Sequence, residues 1–139
     1  MRDYIHHVRY YETDKMGVTH HANYLRWMED ARIDFLDQAG CGYPACEARG
    51  LASPVTGYQC ELKESTRFAD EIVIRTRIEK YTGVRLTFAY EMRRPDGTPV
   101  AEGVTNHCFI NAEGRVISLK RAFPDLHELL MKQISKSTQ

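Results

Sequence analysis

The stretch Ala22-Asn-Tyr-Leu-Arg-Trp-Met-Glu-Asp-Ala-Arg-Ile-Asp-Phe-Leu-Asp-Gln-Ala39, followed by Gly40, decides the fold. Tyr24, Trp27, Met28, Ala31 and Phe35 recur at helical spacing, Leu25 and Leu36 widen the stripe, and Gly40 supplies a C-terminal stop. Arg26, Asp30, Asp34 and Asp37 fall on the other side, so one face is solvated and a broad face must be covered. Glu29, on the flank, is expected to be partly buried and to form an ion pair with Arg32 or another partner, because a buried charge needs one.

Working outward, residues 4–11, YIHHVRYY, are rich in aromatic and β-branched types and end at the polar ETDKMG, which reads as a strand entering a turn. Beyond the helix, Gly42, Pro44 and Gly50 punctuate a connection. Alternating segments follow at 55–66, 71–81, 84–94, 99–111 and 115–119, with PDGTP at 95–99 and NAEGR at 111–115 as turn signals. These read as an antiparallel meander. FPDLHELLMKQI then places Asp125 in a first helical turn and Leu126, Leu129, Leu130 and Ile134 on one face, predicting a short closing helix. One long helix with a broad apolar stripe and one sheet to cover it is an α+β arrangement, the sheet wrapping the helix, in a single domain over 1–139.

Bulk properties narrow the function classes. Apolar residues are 42% of the 139 and charged residues 27%, a globular composition. Lys plus Arg equals Asp plus Glu at 19 each, so no global field exists to hold nucleic acid or an anionic membrane, and an anionic ligand must meet a local cluster. No stretch approaches the roughly 20 apolar residues of a membrane span, and the polar N-terminus lacks the apolar core of a secretory signal, so a cytoplasmic setting is expected. Cys41, Cys46, Cys60 and Cys108 form no CxxC pair and read as reduced apolar fillers. No phosphate-binding glycine loop, GxSxG elbow or zinc motif is present.

The densest group of reactive side chains is the connection Glu12-Thr-Asp-Lys-Met-Gly-Val-Thr-His-His-Ala-Asn-Tyr24. It delivers a carboxylate to a helix start, where free backbone N–H groups can polarise a carbonyl oxygen, the pairing that acyl transfer needs. Spacing alone leaves Asp14 open to a plainer reading, an Asx turn before Gly17. His20 and His21 complete no metal-ligand spacing; each is a solvated or capping histidine, or a general acid.

The string Tyr10-Tyr-Glu-Thr-Asp14-Lys-Met-Gly17-Val-Thr-His-His21-Ala-Asn23-Tyr24, with Met28-Glu29-Asp-Ala31-Arg32 and the later Arg67-Phe-Ala-Asp-Glu, resembles the 4-hydroxybenzoyl-CoA thioesterase-like family, in its short bacterial acyl-CoA thioesterase branch. The resemblance implies a hotdog fold and a homodimer or homotetramer, with active sites where the paired sheets of a dimer meet. It also implies hydrolysis of acyl-CoA without metal or redox cofactor, coenzyme A being part of the substrate. It places the catalytic carboxylate on Asp14 and the thioester-oxygen donor on the His21 N–H, with Gly17, Asn23 and Tyr24 as residues shaping the site. Arg67, Lys80 and Arg85 become candidates for the nucleotide of coenzyme A. Two alternatives stay open: a thioesterase for acyl carrier protein, favoured by a basic face around the tunnel mouth, and a non-catalytic acyl-CoA-binding hotdog protein.

Overall fold

The computed structural model describes residues 1–137. In chain order it consists of β1 (Tyr4–His7), a 3-10 turn (Tyr10–Glu12), α1 (Ala22–Ala39), α2 (Tyr43–Ala48), β2 (Val55–Leu62), β3 (Glu71–Tyr81), β4 (Arg85–Arg93), β5 (Pro99–Cys108), α3 (Leu119–Ala122) and α4 (Pro124–Ser137). The five strands make one antiparallel sheet in the order β1-β3-β4-β5-β2. No helix among the described residues is long and apolar enough to cross a membrane.

The long helix occupies the expected residues and buries the expected stripe: Trp27 and Met28 are fully enclosed, with Tyr24, Ala31, Phe35 and Leu36 beside them. Gly40 ends it in the left-handed region at φ 88°, and Cys41 N–H returns to Leu36 O at 2.8 Å, a closure that favours glycine. Alternate residues of β3 and β4 meet the helix, Ile72, Ile74 and Ile78 from one and Phe88, Tyr90 and Met92 from the other. Each such side chain taken fully from water contributes about 1.5–3 kcal/mol, which is why the alternation holds the register. Gly103 of β5 has a packing reason: a Cβ there would lie 2.7 Å from Met28 Sδ, so the helix can approach this strand only where no side chain intervenes.

Several expectations are corrected. β3, β4 and β5 form the meander, but β2 pairs with β5 on the far side, from Val55↔His107 to Leu62↔Ala101, so the β2–β3 link crosses the end of the sheet. β1 stops at His7, where Val8 N–H turns to Asp70 O and the chain winds into the 3-10 turn. β2 stops at Leu62, since Lys63 and Glu64 N–H both reach Val100 O, and β5 stops at Cys108. Segment 115–119 is no strand; Val116 makes an isolated bridge to Ile110 and Leu119 opens α3, capped by Ser118 Oγ. Helix α2, with Pro44 in its first turn, occupies what reads as plain connection.

Arg32 does not pair with Glu29, which is exposed. Only 4% exposed, it donates from Nε to Tyr43 Oη at 3.0 Å and from Nη1 to Tyr90 Oη at 3.2 Å. The chain continues through Thr105 Oγ1 (2.7 Å) to His107 Nε2 (2.8 Å), while His107 Nδ1 faces Ser53 O at 3.1 Å. Because a carbonyl only accepts, His107 must donate from Nδ1, and Thr105 then donates to Nε2; every bond is satisfied with a neutral imidazole. Burial, with the Arg32 charge nearby, pushes the His107 pKa down to about 4, against the smaller opposing pull of Ser53 O.

Candidate active site

The Asp14 segment is a pinned turn. Asp14 N–H donates to Val18 O and Gly17 N–H to Asp14 O, both at 2.9 Å, and a bridge between Thr13 and Thr19 closes its base. Gly17 takes φ 77°. Thr19 ties the turn to the β2–β3 crossover through Thr66 O and Thr66 Oγ1, and Tyr24 Oη reaches the same Thr66 Oγ1 at 2.9 Å. Asp14 Oδ1 accepts from Met16 N–H at 2.8 Å, so the Asx turn does form. It uses one oxygen; Oδ2 meets no donor among the described residues, and the carboxylate is half-buried.

At the helix start the donors are largely spoken for. Ala22 N–H goes to His20 Nδ1 (3.2 Å), Asn23 N–H to His20 O (3.0 Å), Tyr24 N–H to His21 O (3.2 Å), and His20 N–H to Glu12 O (2.8 Å). Among the described residues the His21 N–H alone of this run finds no acceptor. Its imidazole makes no cap bond, is exposed, and stacks on His20 at 4.3 Å between ring centroids. Local capping thus strips the helix start down to one free donor, at the position the resemblance singles out.

Asn23 and Tyr24 are 6% and 2% exposed, and their polar atoms are engaged internally, Asn23 Nδ2 with Glu12 O (2.9 Å) and Tyr24 Oη with Thr66. They hold the loop to the helix. Glu12, read from sequence only as one carboxylate of the loop, is buried among Arg9 N–H (2.7 Å), His6 Nε2 (2.9 Å) and Trp27 Nε1 (2.7 Å). No spacing rule marks its role, since its partners lie on different elements; its place in the Tyr10-Tyr-Glu-Thr-Asp14 string is its sequence trace.

An open groove of about 1030 Å³ runs from His21, Ala22 and Leu25 over the edge strand at Tyr58–Leu62 and on across the sheet past Arg77, Glu91 and Glu102. Asp14 does not line it, and no contact joins Asp14 to His21 among the described residues. Of the cations considered for the nucleotide, Arg67 stands at the Asp14 turn, its Nη1 3.6 Å from where a Gly17 Cβ would lie. Lys80 and Arg85 sit at the β3–β4 hairpin, the other end of an 11-residue strand, about 30 Å away. The three therefore do not form one cluster within a chain. Among the described residues, no group of three or more His, Cys, Asp or Glu side chains could hold a metal ion.

A five-stranded antiparallel sheet around one long helix is the architecture of hotdog-fold thioesterases. The sequence pattern of the thioesterase-like superfamily matches residues 8–134, and the chain belongs to that superfamily. YneP of Bacillus subtilis (strain 168), whose name assigns it provisionally to the acyl-CoA thioesterases, is 35% identical over 121 residues, 86% of this chain and 88% of that protein. The acyl-CoA thioester hydrolase YbgC of Escherichia coli O157:H7 is 30% identical over 95 residues, 68% of this chain and 71% of that protein. The solved DHNA-CoA thioesterase of Staphylococcus aureus superposes with a TM-score of 0.93 at 34% identity, covering 99% of this chain and 93% of that one.

Proposed function

We propose that this chain hydrolyses acyl-CoA thioesters to a free acid and CoA, with Asp14 as general base or nucleophile and the His21 N–H as the donor to the thioester oxygen. The observation that carries it is the single unoccupied N–H at the start of α1, presented at the end of the turn that bears a half-free carboxylate. Attack on the thioester carbonyl, by water deprotonated at Asp14 or by Asp14 itself through an anhydride, moves charge onto the carbonyl oxygen, and a preorganised donor there lowers the barrier. The leaving group is a thiolate, a weak enough base to depart without a strong general acid. No step calls on a metal or redox cofactor. The names of the relatives YneP and YbgC and of the S. aureus structure support the same bond class.

The working unit in this reading is a homodimer joined along β2. That strand is an unpaired edge with Val55, Tyr58 and Leu62 at 43%, 58% and 52% exposure, and it forms a wall of the groove that begins at His21. Antiparallel pairing of two β2 edges sets the Leu62 end of one sheet, which leads to its Asp14 turn, beside the Val55 end of the other, which leads to its β3–β4 hairpin. Lys80 and Arg85 of one copy would then face the site of the other, with Arg67 supplied from within, a shared arrangement for the nucleotide phosphates. Glu61, Glu79, Glu91 and Glu102 against Arg77 make the groove wall acidic. Such a wall repels the phosphates of coenzyme A as well as an acidic carrier protein, so the choice of free acyl-CoA, in a cytoplasmic setting, is supported by the names of the relatives and not by this charge. Thiol release from a panel of acyl-CoAs of graded length, aromatic ones included, tests the reading; release from none would overturn it.

A further inference from the structure

We propose that Glu12, whose carboxylate is sealed inside the protein, is the residue that positions Asp14 for the reaction; the inference rests on the reading of Asp14 above. Glu12 is 5% exposed, and its side chain gathers three elements at once. Oε1 accepts from Arg9 N–H at 2.7 Å and lies 2.9 Å from His6 Nε2, while Oε2 accepts from Trp27 Nε1 at 2.7 Å. The 3-10 turn, β1 and α1 therefore converge on one carboxylate. The His6 ring lies against Trp27 with centroids 4.5 Å apart, so the two side-chain partners are themselves packed together.

The backbone of the same residue fixes the far side of the loop. Glu12 O accepts His20 N–H at 2.8 Å and Asn23 Nδ2 at 2.9 Å. Asp14 lies two residues after Glu12, and His21 directly follows the residue held on its carbonyl. Both groups assigned to the reaction therefore hang from Glu12, which does not line the groove. A carboxylate fits this place because it accepts only, and an ionised carboxylate makes His6 Nε2 the third donor. Burial works to raise the Glu12 pKa, but the bonds from Arg9, Trp27 and His6 outweigh it and hold the carboxyl below its ordinary range. A glutamine of the same shape would turn an NH2 group toward one of these donors, leaving a buried donor facing a donor and tilting the turn that carries Asp14.

The test is Glu12→Gln in the native and in the Asp14→Asn background, assayed on the best acyl-CoA well below the unfolding temperature, with enzyme in excess where rates are low. In the native background kcat should fall about tenfold to a hundredfold with KM changed less than about threefold, the signature of a misplaced reacting group. In the Asp14→Asn background the same change should cost less than about threefold, because the group it places is already disabled. Trp27→Phe, which removes one donor and leaves the charge, should reproduce part of the kcat loss, and it replaces Glu12→Gln as the deciding variant if that protein does not fold. A folded variant with native kcat overturns the inference, as does an equal loss in both backgrounds, which is what a merely structural role predicts. Absence of any acyl-CoA hydrolysis by the unaltered protein overturns the Asp14 reading and this inference together, whereas an active enzyme indifferent to Glu12→Gln overturns this inference alone.

Discussion

Asp14 commits one carboxylate oxygen to the Met16 N–H, and that bond makes a clean substitution available. Asn at this position can keep the acceptor in the Asx turn while losing the charge that a base or nucleophile requires. Asp14→Asn should fold with stability within about 0.5 kcal/mol of the native protein and lose about 10²–10⁴ in kcat with substrate binding retained. A near-native rate from the folded variant would end the assignment. His21 separates backbone from side chain. Its φ of −56° suits proline, and its N–H meets no acceptor among the described residues, so His21→Pro deletes the proposed oxyanion donor and no other bond. It should cost about 10²–10³ in kcat, as removal of one oxyanion donor typically does. His21→Ala keeps the donor and should cost far less; a loss of about a hundredfold there would instead make the imidazole the general acid.

Elements differed in how openly the sequence announces them. Helix α1 is legible because its apolar stripe runs unbroken over five turns and ends at Gly40, and β3 and β4 because large apolar residues alternate on the face that meets the helix. The place of β2 beside β5 is not legible: half-buried to exposed along its whole length, it carries no clear pattern, and pairing across the sheet is set by register far along the chain. The segment 115–119 alternates like a strand but finds only one bridging partner. At the site, Asp14, His21 and Glu12 all fall within the recognised motif, but the role of Glu12 is not legible there, because it depends on a convergence of His6, Arg9 and Trp27 that exists only after folding. The same holds for His107 on β5, whose buried chain from Arg32 to Ser53 O leads to a pH prediction. The unfolded chain carries a histidine near its ordinary 6.5, the folded one near 4, so between these values the unfolded state binds more protons and stability falls as pH falls. The full effect is on the order of 3 kcal/mol, complete near pH 4 and absent above about pH 7. Thermal unfolding between pH 7 and pH 4.5 should show a loss of Tm that shrinks in His107→Gln; an identical pH slope in the variant would remove His107 as its source.

At the scale of the whole molecule, the unsettled surface is the β2 edge. An edge of eight residues with unpaired backbone groups and three exposed large apolar side chains is a template for another strand, and natural edges left free are usually short, charged or covered. β1, the opposite edge, has only four residues and is such a short one. A second copy pairing antiparallel along β2 closes a single twofold contact, continues the sheet and walls the groove that starts at His21. Light scattering at micromolar concentration should therefore report at least a dimer. Tyr58→Lys with Leu62→Lys puts two positive charges on the edge of each copy, and twofold pairing sets these near one another, where like charges oppose pairing. Both side chains are more than half exposed in the single chain, so the fold of each copy should survive the change while the dimer weakens. If the site is shared, kcat/KM should fall with the dimer population and recover as protein concentration is raised; monomers as active per chain as the native protein would show that each chain carries a complete site.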